Sequence, residues 1–378
     1  VTQVLRAGLL EVRTVTLDIT SKKGGKMEGL RVVGVTVVVM VIASVSAVTP
    51  SSGCGKQPQF DGGGKFDMEV EDPNFSGIKR EFVVEYPRGY SNVTPLGLLL
   101  YFHGQHGSAQ PFAESTNFDK HGEDLGFMTV FPQGLGNGPG IGLSPCGNGW
   151  NTGENGDPNT CTPDAEFFSC CYNSCRDLGK CTVSDKRCSW STCYDDVHFV
   201  DKLIDHVAER ACIDLDLVFV GGVSNGGMVS FTLANGLPTK IKGIIPAVGL
   251  PLRGHLDRPP PLPYLLIAGR QDRVVPIDGT TSNQGWIYES AEETAAAYAA
   301  SNECSKSTRR VETPYDGSSI NFECTEHPDC DDKAVVITCL YDGGHSVPGD
   351  HIGEGITAWF MSKYLQTNTT KPDLASVI

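Results

Sequence analysis

Leu217-Val218-Phe219-Val220-Gly221-Gly222-Val223-Ser224-Asn225-Gly226-Gly227-Met228 is the stretch whose reading decides the fold. Its first four residues, an apolar run with β-branched and aromatic members, read as a buried strand, and the segment from Met228 to Leu237 has a helix-compatible composition. Between them stands Gly222-x-Ser224-x-Gly226, the pattern of a nucleophile elbow. A serine on so sharp a strand-to-helix turn presents its hydroxyl above the sheet, and the small residues two before and two after it let the strained backbone pass. Five-residue patterns recur by chance, so the weight of this one depends on whether an acid and a histidine follow in the right places.

Working outward, strands alternate with helices. Arg80 to Tyr86, Leu96 to Phe102, Met128 to Phe131, Ile244 to Val248, Tyr264 to Ala268 and Val335 to Tyr341 read as strands. Asp195 to Ala211, with apolar Val197, Val200, Leu203, Ile204 and Val207, reads as a helix, as do Ser290 to Ser301 and Ile352 to Tyr364. Such alternation predicts an α/β fold, a mostly parallel sheet with helices on both faces. Chemistry in these sheets sits beyond the carboxyl ends of the strands. Asp272 follows the strand Tyr264 to Ala268, and His345 follows Val335 to Tyr341 behind Gly343-Gly344. The order Ser224, Asp272, His345 is therefore the order of the alpha/beta hydrolases, each member in a loop just past a strand. Taken alone, Asp272 is also a turn-capping residue in a Gly- and Pro-bounded loop, with Asp278 as the competing acid.

A serine nucleophile generates a tetrahedral oxyanion, which needs preorganised donors. His103-Gly104-Gln105-His106-Gly107 follows the strand Leu96 to Phe102, where a second donor is expected. The backbone N–H groups of Gln105 and Asn225 are assigned to the hole, with His103 and Gly104 beside the substrate. Trp150 and Trp286 are candidate aromatic platforms for a ring or sugar, although buried packing is the favoured role for each. No metal or organic cofactor is expected. The chemistry is acyl transfer, with neutral His345 as base, so activity should fall as pH drops below an ordinary histidine pKa of about 6.5.

Among 378 residues, 39% are hydrophobic and 20% charged, which suits a sizeable core, and the formal charge of −15 argues against nucleic acid or an anionic membrane as partner. From Met27 runs Met27-Glu28-Gly29-Leu30-Arg31, then the apolar Val32 to Val45 and small residues ending at Ala47. Residues 1–47 read as upstream sequence and a secretory signal, leaving 48–378 as one catalytic domain, secreted, monomeric and without stable membrane association once cleaved. Fourteen cysteines point to the same oxidising compartment. Eight of them, Cys146, Cys161, Cys170, Cys171, Cys175, Cys181, Cys188 and Cys193, lie in a polar insert at 146–193 that needs covalent staples; about 105 pairings are open. Asn74, Asn92 and Asn368 head glycosylation sequons.

These residues resemble the carbohydrate esterase family 1 feruloyl esterases and the related poly(3-hydroxybutyrate) depolymerase-like secreted esterases. The resemblance spans the mature chain and rests on Pro50 to Lys56, Phe102-His103-Gly104, Phe131-Pro132-Gln133-Gly134, Gly149-Trp150-Asn151, Asp195-Asp196-Val197, Gly222 to Met228 and Gly343 to Gly349. It implies cleavage of a carboxylic ester without cofactor, with Ser224, Asp272 and His345 as nucleophile, acid and base. Two departures affect the substrate. Val347 stands where the relatives usually carry tryptophan, and many of them lack the cysteine-dense segment. The expected substrate is a polysaccharide-linked feruloyl or acetyl ester. A polyester is the alternative, and a non-catalytic carbohydrate-binding protein on a hydrolase scaffold is the reading of another class.

Overall fold

All seven residues of the strand Leu96–Phe102 are buried, and they alternate between two cores. Leu98, Leu100 and Phe102 pack on one side and Leu99 and Tyr101 on the other. That is the period-two signature of a strand covered on both faces. The computed structural model describes residues 14–15, 37–38, 48–60, 63–137, 146–256, 258–331, 334–349 and 351–364.

The chain divides into two units, Val1–Thr49 and Pro50–Ile378. Within the first, β1 (Thr14–Val15) and β2 (Val37–Val38) pair antiparallel. Otherwise the signal-peptide reading of residues 1–47 falls outside the described residues, as does Asn368.

The second unit holds β3 (Gly64–Val70), β4 (Ile78–Glu85), β5 (Leu96–Phe102), α1 (Ala109–Glu114), α2 (Phe118–Leu125) and β6 (Phe127–Pro132). After the cysteine-rich insert, which carries a 3-10 turn at Pro163–Phe168 and α3 (Asn173–Asp177), come α4 (Asp196–Arg210), β7 (Ile213–Val223), α5 (Asn225–Gly236), β8 (Gly243–Ala247) and β9 (Tyr264–Gly269). The remainder is α6 (Ala291–Ser301), β10 (Arg309–Val311), β11 (Glu323–His327), β12 (Val336–Tyr341) and α7 (Ile352–Ser362).

One ten-stranded sheet runs β10-β11-β12-β9-β8-β7-β5-β6-β4-β3. Its six central strands, from β12 to β6, are parallel. Antiparallel pairs finish both edges. Helices α4, α5 and α6 cover one face, through residues such as Leu203, Phe231 and Tyr298, while α1, α2 and α7 cover the other through Ala113, Phe118 and Phe360. The expected α/β architecture is therefore present. Local chemistry fixes the helix starts: Asp195 accepts the His198 N–H at the head of α4, and Ser290 with Glu293 forms a capping box at the head of α6.

Every cysteine is paired. The eight in the insert bond only to one another, as 146–170, 161–188, 171–181 and 175–193, and the remaining pairs are 54–212, 304–330 and 324–339. The insert also has a small core of its own, Tyr172 among Cys170, Cys175 and Cys181.

Candidate active site

Ser224 sits between β7 and α5 with φ 57° and ψ −122°, a conformation an L-residue tolerates only when its surroundings impose it. The surroundings explain the flanking glycines. A Cβ on Gly222 would lie 2.4 Å from the Phe102 carbonyl oxygen, and one on Gly226 only 2.1 Å from the same atom. The end of β5 thus passes so close beneath the turn that no side chain fits on either side of the serine. The Ser224 N–H donates to the Ala247 carbonyl at 2.9 Å, anchoring the turn to β8.

Three loops converge above the sheet. Ser224 Oγ lies 2.9 Å from His345 Nε2, and His345 Nδ1 lies 2.7 Å from Asp272 Oδ2. The Asp272 side chain is 1% exposed, that of His345 22%. Asp272 Oδ1 accepts the N–H groups of Val274 and Val275, both at 2.8 Å, so the carboxylate is held at both oxygens. Asp278, the competing acid, is exposed and accepts from Thr280 within its own turn.

Of the two glycines before His345, Gly343 serves close approach, whereas a Cβ on Gly344 would come no nearer than 3.9 Å to the Gln271 carbonyl oxygen. A Cβ on Gly343 would strike the Tyr341 ring at 2.5 Å, and one on Gly269 would come within 2.5 Å of the Gly343 and Gly344 carbonyls. The Gln271 N–H donates to Gly343 O at 2.9 Å, and the Tyr341 hydroxyl donates to the carbonyl of Ser346. Loops after β9 and β12 are thereby locked together, which sets the distance between Asp272 and His345. Val347 is half-buried where the start of α7 crosses; a Cβ on Gly353 would meet its Cγ1.

The loop after β5 passes beside Ser224. A Cβ on Gly104 would lie 3.4 Å from Ser224 Cβ and 4.0 Å from its Oγ. Among the described residues, neither the Gln105 nor the Asn225 backbone N–H donates a hydrogen bond, and Asn225 is the first residue of α5. Two unengaged donors, one at a helix N-terminus, suit an oxyanion.

Other residues singled out in the sequence have different positions. His103 is 1% exposed, its Nδ1 bonded to the Gly104 carbonyl at 2.8 Å and its Nε2 accepting the Gly134 N–H at 2.9 Å. Burial lowers its pKa to about 4, so the ring is neutral and braces the loop instead of facing solvent. Trp150 is wholly buried edge-on to Phe102, its Nε1–H donating to the His103 carbonyl, and Trp286 is 2% exposed. Both indoles are packing residues in this structure, which leaves no open platform at either position. A surface depression of about 450 Å³ includes Asp272, Arg273 and Ile277 but neither Ser224 nor His345.

Tyr172 had no signal in the sequence, while Gln133 stood out only within the family-like run Phe131 to Gly134 and Tyr341 only as the end of an expected strand. Gln133 Oε1 accepts the Ala109 N–H at 2.9 Å, closing the loop after β5 from below. Among the described residues there is no cluster of three or more His, Cys, Asp or Glu side chains placed to hold a metal, and no helix long and apolar enough to cross a membrane.

No family model matches the chain. It is 26% identical over 236 residues to feruloyl esterase D of Neurospora crassa, covering 62% of this chain and 66% of that protein, just under two thirds of its length. With the probable feruloyl esterase C of Aspergillus terreus it shares 26% identity over 317 residues, 82% of this chain and 88% of the relative. The solved acetyl xylan esterase from Aspergillus awamori superposes with a TM-score of 0.49 at 14% identity, over 79% of this chain and 100% of that one.

Proposed function

We propose, starting from the membership of this chain in the alpha/beta-hydrolase esterases, that it is a secreted serine carboxylic ester hydrolase acting on feruloyl or acetyl esters of cell-wall polysaccharide. The observation that carries the reading is the relay from Ser224 through His345 to Asp272, with contacts of 2.9 and 2.7 Å, on a strained elbow beside two unengaged N–H groups.

In this mechanism His345 Nε2 takes the Ser224 hydroxyl proton as Oγ attacks the ester carbonyl. Asp272 keeps the other ring proton on Nδ1 and stabilises the imidazolium. The N–H groups of Gln105 and Asn225 receive the oxyanion, and collapse expels the alcohol with the proton returned by His345. Water then repeats the cycle on the acyl-enzyme. Seven disulfides suit an oxidising, extracellular compartment.

Hydrolysis of p-nitrophenyl acetate by wild type and Ser224→Ala tests the reaction class. A loss of roughly 10⁴-fold or more is expected, and equal rates would sink the enzyme reading. Methyl ferulate, acetylated xylan and polyhydroxybutyrate, compared at equal enzyme, test the substrate; turnover of the polyester alone would replace the cell-wall assignment.

A further inference from the structure

Among the described residues, every side-chain hydrogen bond of the two oxyanion residues runs into the cysteine-rich insert. Gln105 Nε2 donates to Tyr172 Oη at 2.5 Å and to the Trp190 carbonyl at 3.3 Å. Asn225 accepts the Trp150 N–H at Oδ1, 2.7 Å, and donates from Nδ2 to the Trp150 carbonyl at 3.3 Å. From this geometry we infer that Tyr172 is a positioning residue for the oxyanion loop, its hydroxyl fixing the Gln105 side chain and through it the aim of the Gln105 backbone N–H.

The hydroxyl is itself oriented. It donates to the Gly147 carbonyl at 2.6 Å, and its ring is fully buried. Burial raises the phenol pKa, so the group remains a donor at any working pH. Gly147 belongs to a segment pressed flat against the oxyanion loop. The His106 N–H donates to Asn148 O at 2.7 Å, and Asn148 Nδ2 donates to Gly107 O at 3.1 Å. Space is tight there: a Cβ on Gly147 would lie 2.2 Å from His106 Nδ1, and one on Gly149 2.3 Å from Gln105 Oε1, so either would displace that side chain. Both ends of the hydroxyl's reach start at staples, since Cys146 precedes Gly147 and bonds to Cys170, while Cys171 precedes Tyr172 and bonds to Cys181. The insert is thus the rear wall of the oxyanion hole.

This inference rests on the serine esterase reading. Because the oxyanion exists only along the reaction path, a misaimed donor lowers kcat and spares KM. Tyr172→Phe keeps the ring and removes the hydroxyl; kcat on p-nitrophenyl acetate should fall about tenfold or more with KM within about twofold, a fraction of the loss from deleting a whole donor. Gln105→Ala retains the backbone N–H and should give the same drop, and the double variant should be no worse than either single one. Melting temperature and circular dichroism report whether each variant is folded. Unchanged kcat in Tyr172→Phe, a rise in KM alone, or multiplying losses in the double variant overturns the inference. If Tyr172→Phe does not fold, Gln105→Ala decides by itself, an unchanged kcat being the refuting result. A wild type that neither turns over ester nor is labelled at Ser224 by a fluorophosphonate removes the esterase reading and this inference with it, whereas a labelled, active wild type isolates a failure to the Tyr172 contact.

Discussion

Replacing Asp272 by asparagine separates catalysis from folding at this site. Oδ1 of Asp272 accepts two backbone N–H groups, from Val274 and Val275, at 2.8 Å each, while Oδ2 faces His345 Nδ1 at 2.7 Å. An asparagine has one acceptor end and one donor end. Two N–H donors already claim the inner position, so the amide oxygen must take it and the NH₂ must turn toward His345. A donor facing Nδ1 forces the ring proton onto Nε2, and that tautomer cannot accept the Ser224 proton. Loss of the base tautomer costs about 10⁴-fold in kcat, equivalent to about 5.4 kcal/mol of barrier. The backbone bonds at Oδ1 survive, so the melting temperature should hold. Asp272→Ala makes the contrast, because it strands the buried Val275 N–H, at roughly 1 to 3 kcal/mol, and the part-buried Val274 N–H, and should lower stability as well as rate. The assay is kcat for p-nitrophenyl acetate beside a thermal melt of all three proteins. A loss under tenfold in Asp272→Asn, with the fold intact, would refute the proposed relay.

His103 gives a pH-dependent stability. Its folded-state pKa of about 4 lies below the ordinary histidine value, so the unfolded chain takes up the proton first. Stability should be full above about pH 6.5 and fall as the pH approaches 4, by roughly 3 kcal/mol from this group. Urea midpoints between pH 7 and 4 should show a flatter profile in His103→Gln than in wild type; parallel profiles count against the assignment. Asp196 pairs with the buried Arg80 at 2.7 Å and also accepts the Asn151 N–H. Asp196→Ala leaves a buried cation unpaired and should cost roughly 3 to 5 kcal/mol by urea unfolding, whereas a loss below 1 kcal/mol would mean that water reaches Arg80. The Cys54–Cys212 bridge ties the start of the folded unit to the head of β7, closing 158 residues; Cys54→Ser with Cys212→Ser should lower stability by roughly 2 to 5 kcal/mol, read from the same melts. Asn74 is exposed, while the Asn92 amide is spent on the Lys56 carbonyl at 2.8 Å, so glycan mapping in a glycosylating host should find Asn74 the more fully occupied.

The candidate site was legible because each of its members is punctuated by a buried strand. Leu96–Phe102, Tyr264–Gly269 and Val336–Tyr341 are apolar runs on the two-faced part of the sheet, so the polar residue just beyond each stands out. The edges were not so marked. β3 alternates Phe66, Met68 and Val70 with charged residues, a pattern that a search for continuous apolar runs passes over, and β10 has only three residues. β7 begins four residues earlier than its apolar run because Asp214 and Asp216 interrupt the pattern at its head. The rear of the site was illegible for a different reason. Gln105 and Tyr172 are 67 residues apart, joined across a segment without periodicity, and their meeting depends on which of about 105 cysteine pairings is formed. The same holds for His103, which is buried by the loops that carry Gly134 and Trp150. Sequence patterns report which backbone runs through the core, because burial on a regular element repeats at a fixed period; they do not report which irregular loop closes over a site. Close approach does leave one trace. Gly222, Gly226, Gly147 and Gly149 all lie where a Cβ would come within 2.4 Å of another group, and the two that flank Ser224 are what made the elbow recognisable. Gly149, in Cys146-Gly147-Asn148-Gly149-Trp150, carries a related steric message about the oxyanion loop, since its Cβ would meet Gln105 Oε1, so Gly149→Ala should depress kcat through Gln105 while leaving the Ser224 relay in place.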